Sequence, residues 1–268
     1  MAIVTIASAS GAPGVSTTAL MLGLQWPRPA ILVDADPKGG SPFLAGYMHG
    51  EMRPGLVELI MAHQQHLLPD ALPRLLVEMP NSNLRVLPGL RTQVQAAAAG
   101  MVWQPLLAEL RRLSAADGVD TIIDVGRLGM AAWPQPLVLG SDVLVLMSGT
   151  GLPELAAVQP WLTWLQDAVA GPTIAVLLAG EGRPYSAGEV TRQLDLPVVG
   201  VLPRDEQAAR KWSHGEQPAP LTGWVQHLTT PRSTLMPAVA HVAERLLAMM
   251  PAALEAVDIA EQPSEVGQ

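Results

Sequence analysis

A glycine-bearing loop near the start of the chain has the residue types of a phosphate-binding site. Residues 11–18 read Gly-Ala-Pro-Gly-Val-Ser-Thr-Thr, which has the length of the loop Gly-x-x-x-x-Gly-Lys-Ser/Thr that cradles nucleotide phosphates. Two defining positions differ, because Ser16 stands in place of the second glycine and Thr17 in place of the lysine. Thr18 matches the final position. The loop therefore raises the question of whether it still holds a nucleotide.

The chemistry left to this loop comes from its backbone and its hydroxyl groups. Free N–H groups at a helix N-terminus attract phosphate whatever the side chains are, Gly11 and Gly14 permit a tight turn, and Thr18 can offer a hydroxyl to Mg²⁺. Thr17 brings no positive charge to the phosphates, and Ser16 hinders close approach of the backbone. We expect weak nucleotide affinity and very poor hydrolysis. The alternative is a plain strand–turn–helix in which Ser or Thr caps the helix.

Three aspartates stand at the ends of predicted strands. Asp34 and Asp36 follow the apolar run Ala30–Val33, and Asp124 follows Thr121–Ile123. Alternate residues of an extended segment face the same side, so Asp34 and Asp36 can both point into one crevice, one toward a metal ion's ligands and one toward a water. The alternative for each aspartate is a turn or helix-capping residue.

Short apolar runs that alternate with helical patterns must position these groups. Such alternation predicts an α/β fold, a three-layer sandwich in which a mostly parallel, twisted sheet is flanked by helices on both faces. Ligands of such sheets bind at the carboxyl ends of the strands, so the loop and the three aspartates should meet in one crevice. The predicted strands are Ala2–Ala7, Ala30–Val33, Leu84–Leu87, Thr121–Ile123, Asp142–Met147, Thr173–Leu178 and Val198–Leu202.

The composition limits the classes of partner and compartment. The net charge of −8 and the absence of a basic cluster oppose direct binding of nucleic acid or of an anionic membrane. The absence of cysteine excludes disulfides and thiolate metal sites. No run of about 18 apolar residues predicts a membrane span, and we expect a cytoplasmic protein. We predict one domain over residues 1–257 and a disordered acidic tail over residues 258–268.

Four segments together resemble the ParA/MinD family, the P-loop ATPases with a deviant Walker A motif. Ser10–Thr18 falls without gaps on the family's loop Ser-Gly-Lys-Gly-Gly-Val-Gly-Lys-Thr, and Ile31–Ser41 is close to its second motif. Asp120–Asp124 resembles the Walker B strand, and Leu196–Asp205 resembles the strand and loop near the base. The resemblance covers about residues 1 to 250 and implies the family's α/β fold.

The resemblance also implies roles for individual residues. Active members bind ATP with Mg²⁺, form a nucleotide-sandwich dimer and act as positional switches. Carried over by position, Thr18 would be a Mg²⁺ ligand. Asp36 would be the catalytic candidate that positions the attacking water. Asp124 would be an acid that contacts the ligands of the Mg²⁺ ion rather than the ion itself. The residues that would contact the nucleotide are Gly11, Ala12, Pro13, Gly14, Val15, Ser16, Thr17, Thr18 and Pro203.

The chain departs from the family where positive charge is needed. The family's two loop lysines correspond to Ala12 and Thr17, and the asparagine expected near the base is absent from Leu177–Glu181. Arg127 and Arg183 are candidates to replace the lysines, although each is better explained as a surface or ion-pair arginine.

Two functions follow from this pattern. The first is a non-hydrolysing scaffold or positioning factor that acts through protein partners, binds ATP or ADP with Mg²⁺ weakly or not at all, and can form a homodimer. The second is a slow Mg²⁺-ATPase switch dimer in which other groups replace the lysines. A third possibility is that the loop binds a different anion.

Trp161 and Trp164 share a helix face, which indicates core packing or an aromatic interaction patch.

Overall fold

A parallel sheet forms the centre of the protein. The computed structural model describes residues 1–11, 14–41, 43–51, 53–168, 171–180, 184–215 and 233–250. Within them, eight strands form one sheet in the order β3-β4-β2-β5-β1-β6-β7-β8, and each neighbouring pair is parallel except β3 and β4. The strands are β1 (Ile3–Ser8), β2 (Ala30–Asp34), β3 (Val77–Glu78), β4 (Leu84–Leu87), β5 (Asp120–Arg127), β6 (Val143–Gly149), β7 (Thr173–Ala179) and β8 (Val198–Leu202).

The central strands are apolar on both faces because both faces are covered. Every residue of β1 and β2 is buried, as a parallel sheet between two helical layers requires. One layer contains α2 (Leu56–Gln64), α3 (Leu68–Leu75), α4 (Ala96–Ala99), α5 (Trp103–Asp117), α6 (Gln135–Leu139), α7 (Leu152–Gln166) and α8 (Ala187–Leu194). The other contains α1 (Val15–Gln25), a π-helix (Phe43–Tyr47), α9 (Glu206–Ser213) and α10 (Leu235–Met249). The predicted three-layer α/β fold is confirmed.

The register of the sheet places two aspartates side by side. Asp34 ends β2 and lies opposite Asp124 of β5, while Ile6 of β1 flanks Asp124 on the other side. The sequence predicted that β5 would stop before Asp124, but the strand continues to Arg127. It continues because residues beyond Asp124 still pair with β1, where Ser8 is the partner of Arg127. Asp124 is therefore held by strand pairing on both sides.

The last described helix packs against the loop-bearing part of the fold. α10 lies against α1 and β8 and buries an apolar stripe that includes Val239, Val242 and Leu246. Among the described helices, none is long and apolar enough to cross a membrane. The predicted tail, residues 258–268, lies outside the described residues, as do residues 251–257 of the predicted domain.

Candidate functional site

The first turn of α1 carries the hydroxyl groups of the loop. α1 begins at Val15, and its N-cap is Gly14 in a left-handed conformation with φ 90°. Gly14 brings no side-chain cap, so the cap is not the Ser or Thr of the plain-turn alternative. The N–H of Thr18 donates to the carbonyl of Gly14 at 2.9 Å. Ala12 and Pro13, two of the predicted contact residues, lie outside the described residues.

Three carboxylates meet at the strand ends, and two glycines allow them to do so. A Cβ atom added at Gly89 would lie 2.5 Å from Cγ of Asp34, and one at Gly126 would lie 2.4 Å from Cγ of Asp36. Distances below 3.0 Å are not sustained between such atoms. Each glycine therefore leaves the space that a carboxyl group occupies. Asp34 and Asp124 are buried, with 4% and 2% of their surface exposed, whereas Asp36 is half-buried.

Hydrogen bonds hold each carboxyl group in place. The Ser41 hydroxyl donates to Asp34, the N–H of Gly126 donates to Asp124 at 2.9 Å, and the N–H of Lys38 donates to Asp36 at 2.9 Å. These donors are neutral groups. They orient the carboxylates without neutralising them.

Burial raises the pKa values of all three carboxyl groups in this cluster. Desolvation, reinforced by the charge of Asp34, raises the pKa of Asp124 to about 8, although the Ser16 hydroxyl favours the ionised form. Desolvation also raises the pKa of Asp34 to about 6, partly offset by Ser41. The pKa of Asp36 is raised by burial and lowered somewhat by Lys38. At neutral pH the cluster therefore holds a proton that isolated aspartates would release.

A small, partly enclosed cavity lies between these carboxylates and the first turn of α1. Its volume is about 10 Å³, which is room for about one water molecule. Among the described residues that line it, none is basic, so they offer no positive charge to a phosphate. Two aromatic rings form part of the wall. The lining residues are Ser16, Thr17, Leu20, Leu32, Asp34, Phe43, Asp124 and Trp212.

The other predicted site residues are not among those that line this cavity. Thr18 is buried within α1, and Pro203 is half-buried in the loop after β8. Arg127 is exposed at the end of β5, and Arg183 lies outside the described residues. Of the predicted nucleotide-contact residues, the wall contains Ser16 and Thr17, the two positions where the loop departs from the phosphate-binding pattern.

The sequence analysis did not predict several residues of this site. Ser41, Gly89 and Gly126 orient or accommodate the carboxylates, and only Ser41 carried a signal, since it closes the segment Ile31–Ser41 that is close to the family's second motif. Phe43 and Trp212 close the cavity. Trp212 lies 178 residues after Asp34 in the sequence, and no spacing pattern links the two.

Comparison with known proteins places the fold. No protein-family profile matches the chain, and no curated relative matches it. Solved structures do match over nearly the whole chain. MinD, a cell division ATPase of Pyrococcus furiosus, superposes with a TM-score of 0.71 at 17% identity, covering 92% of this chain and 99% of MinD.

Two further matching structures contain a bound nucleotide. The septum site-determining protein MinD of Pyrococcus horikoshii, solved with Mg-ADP, has a TM-score of 0.69 at 20% identity, covering 92% of this chain and 97% of that protein. The ATP complex of a Cyanothece McdA variant has a TM-score of 0.63 at 21% identity, covering 95% of this chain and 99% of McdA. The chain therefore has the fold of the MinD and ParA-family ATPases.

Proposed function

We propose that this protein is a ParA/MinD-like scaffold or positioning factor of the bacterial cytoplasm that acts through protein partners and does not hydrolyse ATP. One observation carries the proposal. The crevice where this fold would place phosphates keeps buried carboxylates, Asp34 and Asp124, and the part of its cavity wall that the structure describes contains no basic residue.

The physical reason is the balance of charge. Phosphoryl transfer depends on cations that neutralise charge spread over the transferring phosphate, and the loop lysine is one of them. Here the hydroxyl of Thr17 stands at that position. A hydroxyl donates one hydrogen bond and no charge, while the nearby carboxylates repel an incoming phosphate. Stabilisation of the transition state is therefore weak.

A nucleotide remains a candidate ligand on structural grounds. The uncapped N-terminus of α1 presents backbone N–H groups, and Thr18, Asp36 and Asp124 are available to a Mg²⁺ ion or its waters. MinD has been solved with Mg-ADP and McdA with ATP. We propose weak binding of ATP or ADP with Mg²⁺, with positions 11–18 around the phosphates and Pro203 near the base.

Protein partners and self-association follow from the same fold. The MinC:MinD cell division complex of Aquifex aeolicus, whose chain matches with a TM-score of 0.66 at 13% identity, covering 95% of this chain and 98% of that chain, shows a protein of this fold bound to another protein. We propose a protein partner and a homodimer for this chain. Direct binding of nucleic acid or membrane is not part of the proposal, because the net charge is −8.

A slow Mg²⁺-ATPase switch dimer is the second candidate. The observation that favours it is that all three carboxylates are still gathered at the strand ends, with Asp36 held against Gly126. In this alternative a cation from outside the cavity wall replaces the loop lysines, and Asp36 positions the attacking water.

Calorimetric titration with ATP and Mg²⁺, together with a phosphate-release assay, separates the two candidates. For the scaffold we expect dissociation constants no tighter than about 100 μM, which corresponds to roughly −5.5 kcal/mol, and phosphate release at the background rate. The Asp36→Ala variant should then release phosphate at the same background rate. Phosphate release that exceeds background and disappears in Asp36→Ala would instead establish the ATPase and reject the scaffold.

A further inference from the structure

Helix α9 lies over the carboxylate cavity although it follows β8, far from the loop and the aspartates in the sequence. It starts after β8, where the side chain of Asp205 caps it by accepting from the N–H of Ala208 at 2.9 Å. Its indole, Trp212, lines the cavity together with Phe43 of the π-helix. The helix therefore forms part of the cavity wall.

A column of aromatic rings joins α9 to the π-helix. Phe43 and Tyr47 stack with ring centroids 6.1 Å apart, and Tyr47 and Trp212 stack 6.0 Å apart with planes within 8°. The ammonium of Lys211 lies 4.6 Å from the centroid of Trp212, which is a cation–π contact. The column fastens α9 to a segment that begins nine residues after Asp34.

The two backbones also touch. A Cβ atom on Gly46 would overlap the carbonyl oxygen of Ser213, and one on Gly215 would lie 2.7 Å from the carbonyl oxygen of Gly46. Only glycine at these positions allows so close an approach. The backbones of the two segments are therefore packed directly against each other, and a side chain at either glycine would separate them.

α9 is nevertheless held to the rest of the protein by few buried contacts. Each of its residues is described, and none of them is buried. Ala208, Ala209 and Trp212 are only partly buried against the core. By contrast, α10 in the same layer buries five residues. Segments that bury little apolar surface need less free energy to open locally than the core does. α9 can therefore detach while the sheet stays folded.

We propose that α9 is a cover that closes the carboxylate crevice in the resting protein, with the stack of Trp212 on Tyr47 as its latch. With α9 in place, the cavity of about 10 Å³ excludes anything larger than about one water. Any ligand that reaches Asp34 and Asp124 from this side enters after α9 has lifted. The cover acts on access to the crevice and does not depend on which ligand enters or on whether ATP is hydrolysed.

Thiol labelling tests the cover directly because the chain contains no cysteine. Leu20 lines the cavity and is 3% exposed, and Ala175 lies in β7 with no exposed surface. Leu20→Cys therefore reports opening of the crevice, and Ala175→Cys reports global unfolding. Each reporter is placed in the full-length protein alone and with Trp212→Ala, Tyr47→Ala or Trp164→Ala. Trp164 is the matched control, since it also belongs to an aromatic cluster but packs on the opposite layer. The measured quantity is the rate of reaction with dithionitrobenzoate.

The cover predicts that Leu20→Cys reacts at least about 10-fold faster when either latch ring is removed, because a stacked aromatic pair and its burial contribute a factor of this order. The rate should not change with Trp164→Ala, and Ala175→Cys should stay protected throughout. Equal rates for Leu20→Cys with and without the latch would overturn the proposal. Parallel acceleration of both reporters would also overturn it, because α9 would then open only when the whole domain unfolds.

Discussion

The buried carboxylates should make this protein more stable in mild acid than at neutral pH. The pKa of Asp124 is raised from 3.8 to about 8 and that of Asp34 from 3.8 to about 6. Between pH 4 and pH 8 the folded state therefore binds more protons than the unfolded state. The free energy of unfolding then falls as the pH rises, by about 1.4 kcal/mol per pH unit for each extra proton.

The size of the effect follows from these two groups. From pH 5 to pH 7, Asp124 stays largely protonated in the folded protein and ionises in the unfolded one, which removes nearly 3 kcal/mol. Asp34 acts in the same direction, mostly below pH 6, and because the two carboxyl groups titrate as a coupled pair the total loss is roughly 3–4 kcal/mol. For a chain of this size each kcal/mol corresponds to roughly 2–4 °C, so the melting temperature should fall by about 10 °C.

Urea unfolding at pH 5, 6 and 7 in EDTA and at constant ionic strength measures this slope. Asp124→Asn keeps an oxygen that accepts from the N–H of Gly126 but cannot ionise. We expect it to be more stable than the wild type at pH 7 by a few kcal/mol and to have a slope about 1 kcal/mol per pH unit smaller. Asp167→Asn, at an exposed position, should leave the slope unchanged. A wild-type stability that is level or rises from pH 5 to pH 7, or an unchanged slope in Asp124→Asn, would refute the reasoning.

Two substitutions test the loop and the packing of the carboxylates. Thr17→Lys should raise ATP affinity in calorimetry by about 10- to 100-fold, since a charge-assisted hydrogen bond contributes roughly 1.5–3 kcal/mol, and it should flatten the pH slope by pairing with Asp124; Thr17→Met, of similar length, should do neither. An unchanged affinity in Thr17→Lys would mean that the loop no longer has phosphate-binding geometry. Gly126→Ala should lower stability by at least about 2 kcal/mol in urea unfolding, because the new Cβ would lie 2.4 Å from Cγ of Asp36 and φ is +61°. Gly188→Ala, where a Cβ meets nothing within 4 Å, is the control, and equal stabilities of the two variants would contradict the packing argument.

Much of the fold was predictable because its signals are local. Apolar runs such as Ala30–Val33 and Val198–Leu202 coincide with strands β2 and β8 to within a residue, since a strand buried on both faces must be apolar throughout. Strand ends that depend on pairing with a neighbouring strand were predicted less accurately. β5 runs three residues past Asp124 because β1 continues to pair with it, and the sequence of β5 alone carries no sign of that pairing.

The sequence by itself determined which groups are gathered at the crevice. Parallel strands bring their carboxyl ends to one edge, so a loop after β1 and aspartates at β2 and β5 had to come together. The missing lysine at Thr17 was equally plain from the sequence.

Only the tertiary structure decided the state of that crevice. The pKa of Asp124 depends on its burial and on the charge of Asp34 beside it, which no local pattern specifies. The size of the cavity depends on Trp212, which reaches the site from a helix far from Asp34 in the sequence. Burial, electrostatic coupling and closure are properties of contacts between distant segments, and these exist only once the sheet has assembled.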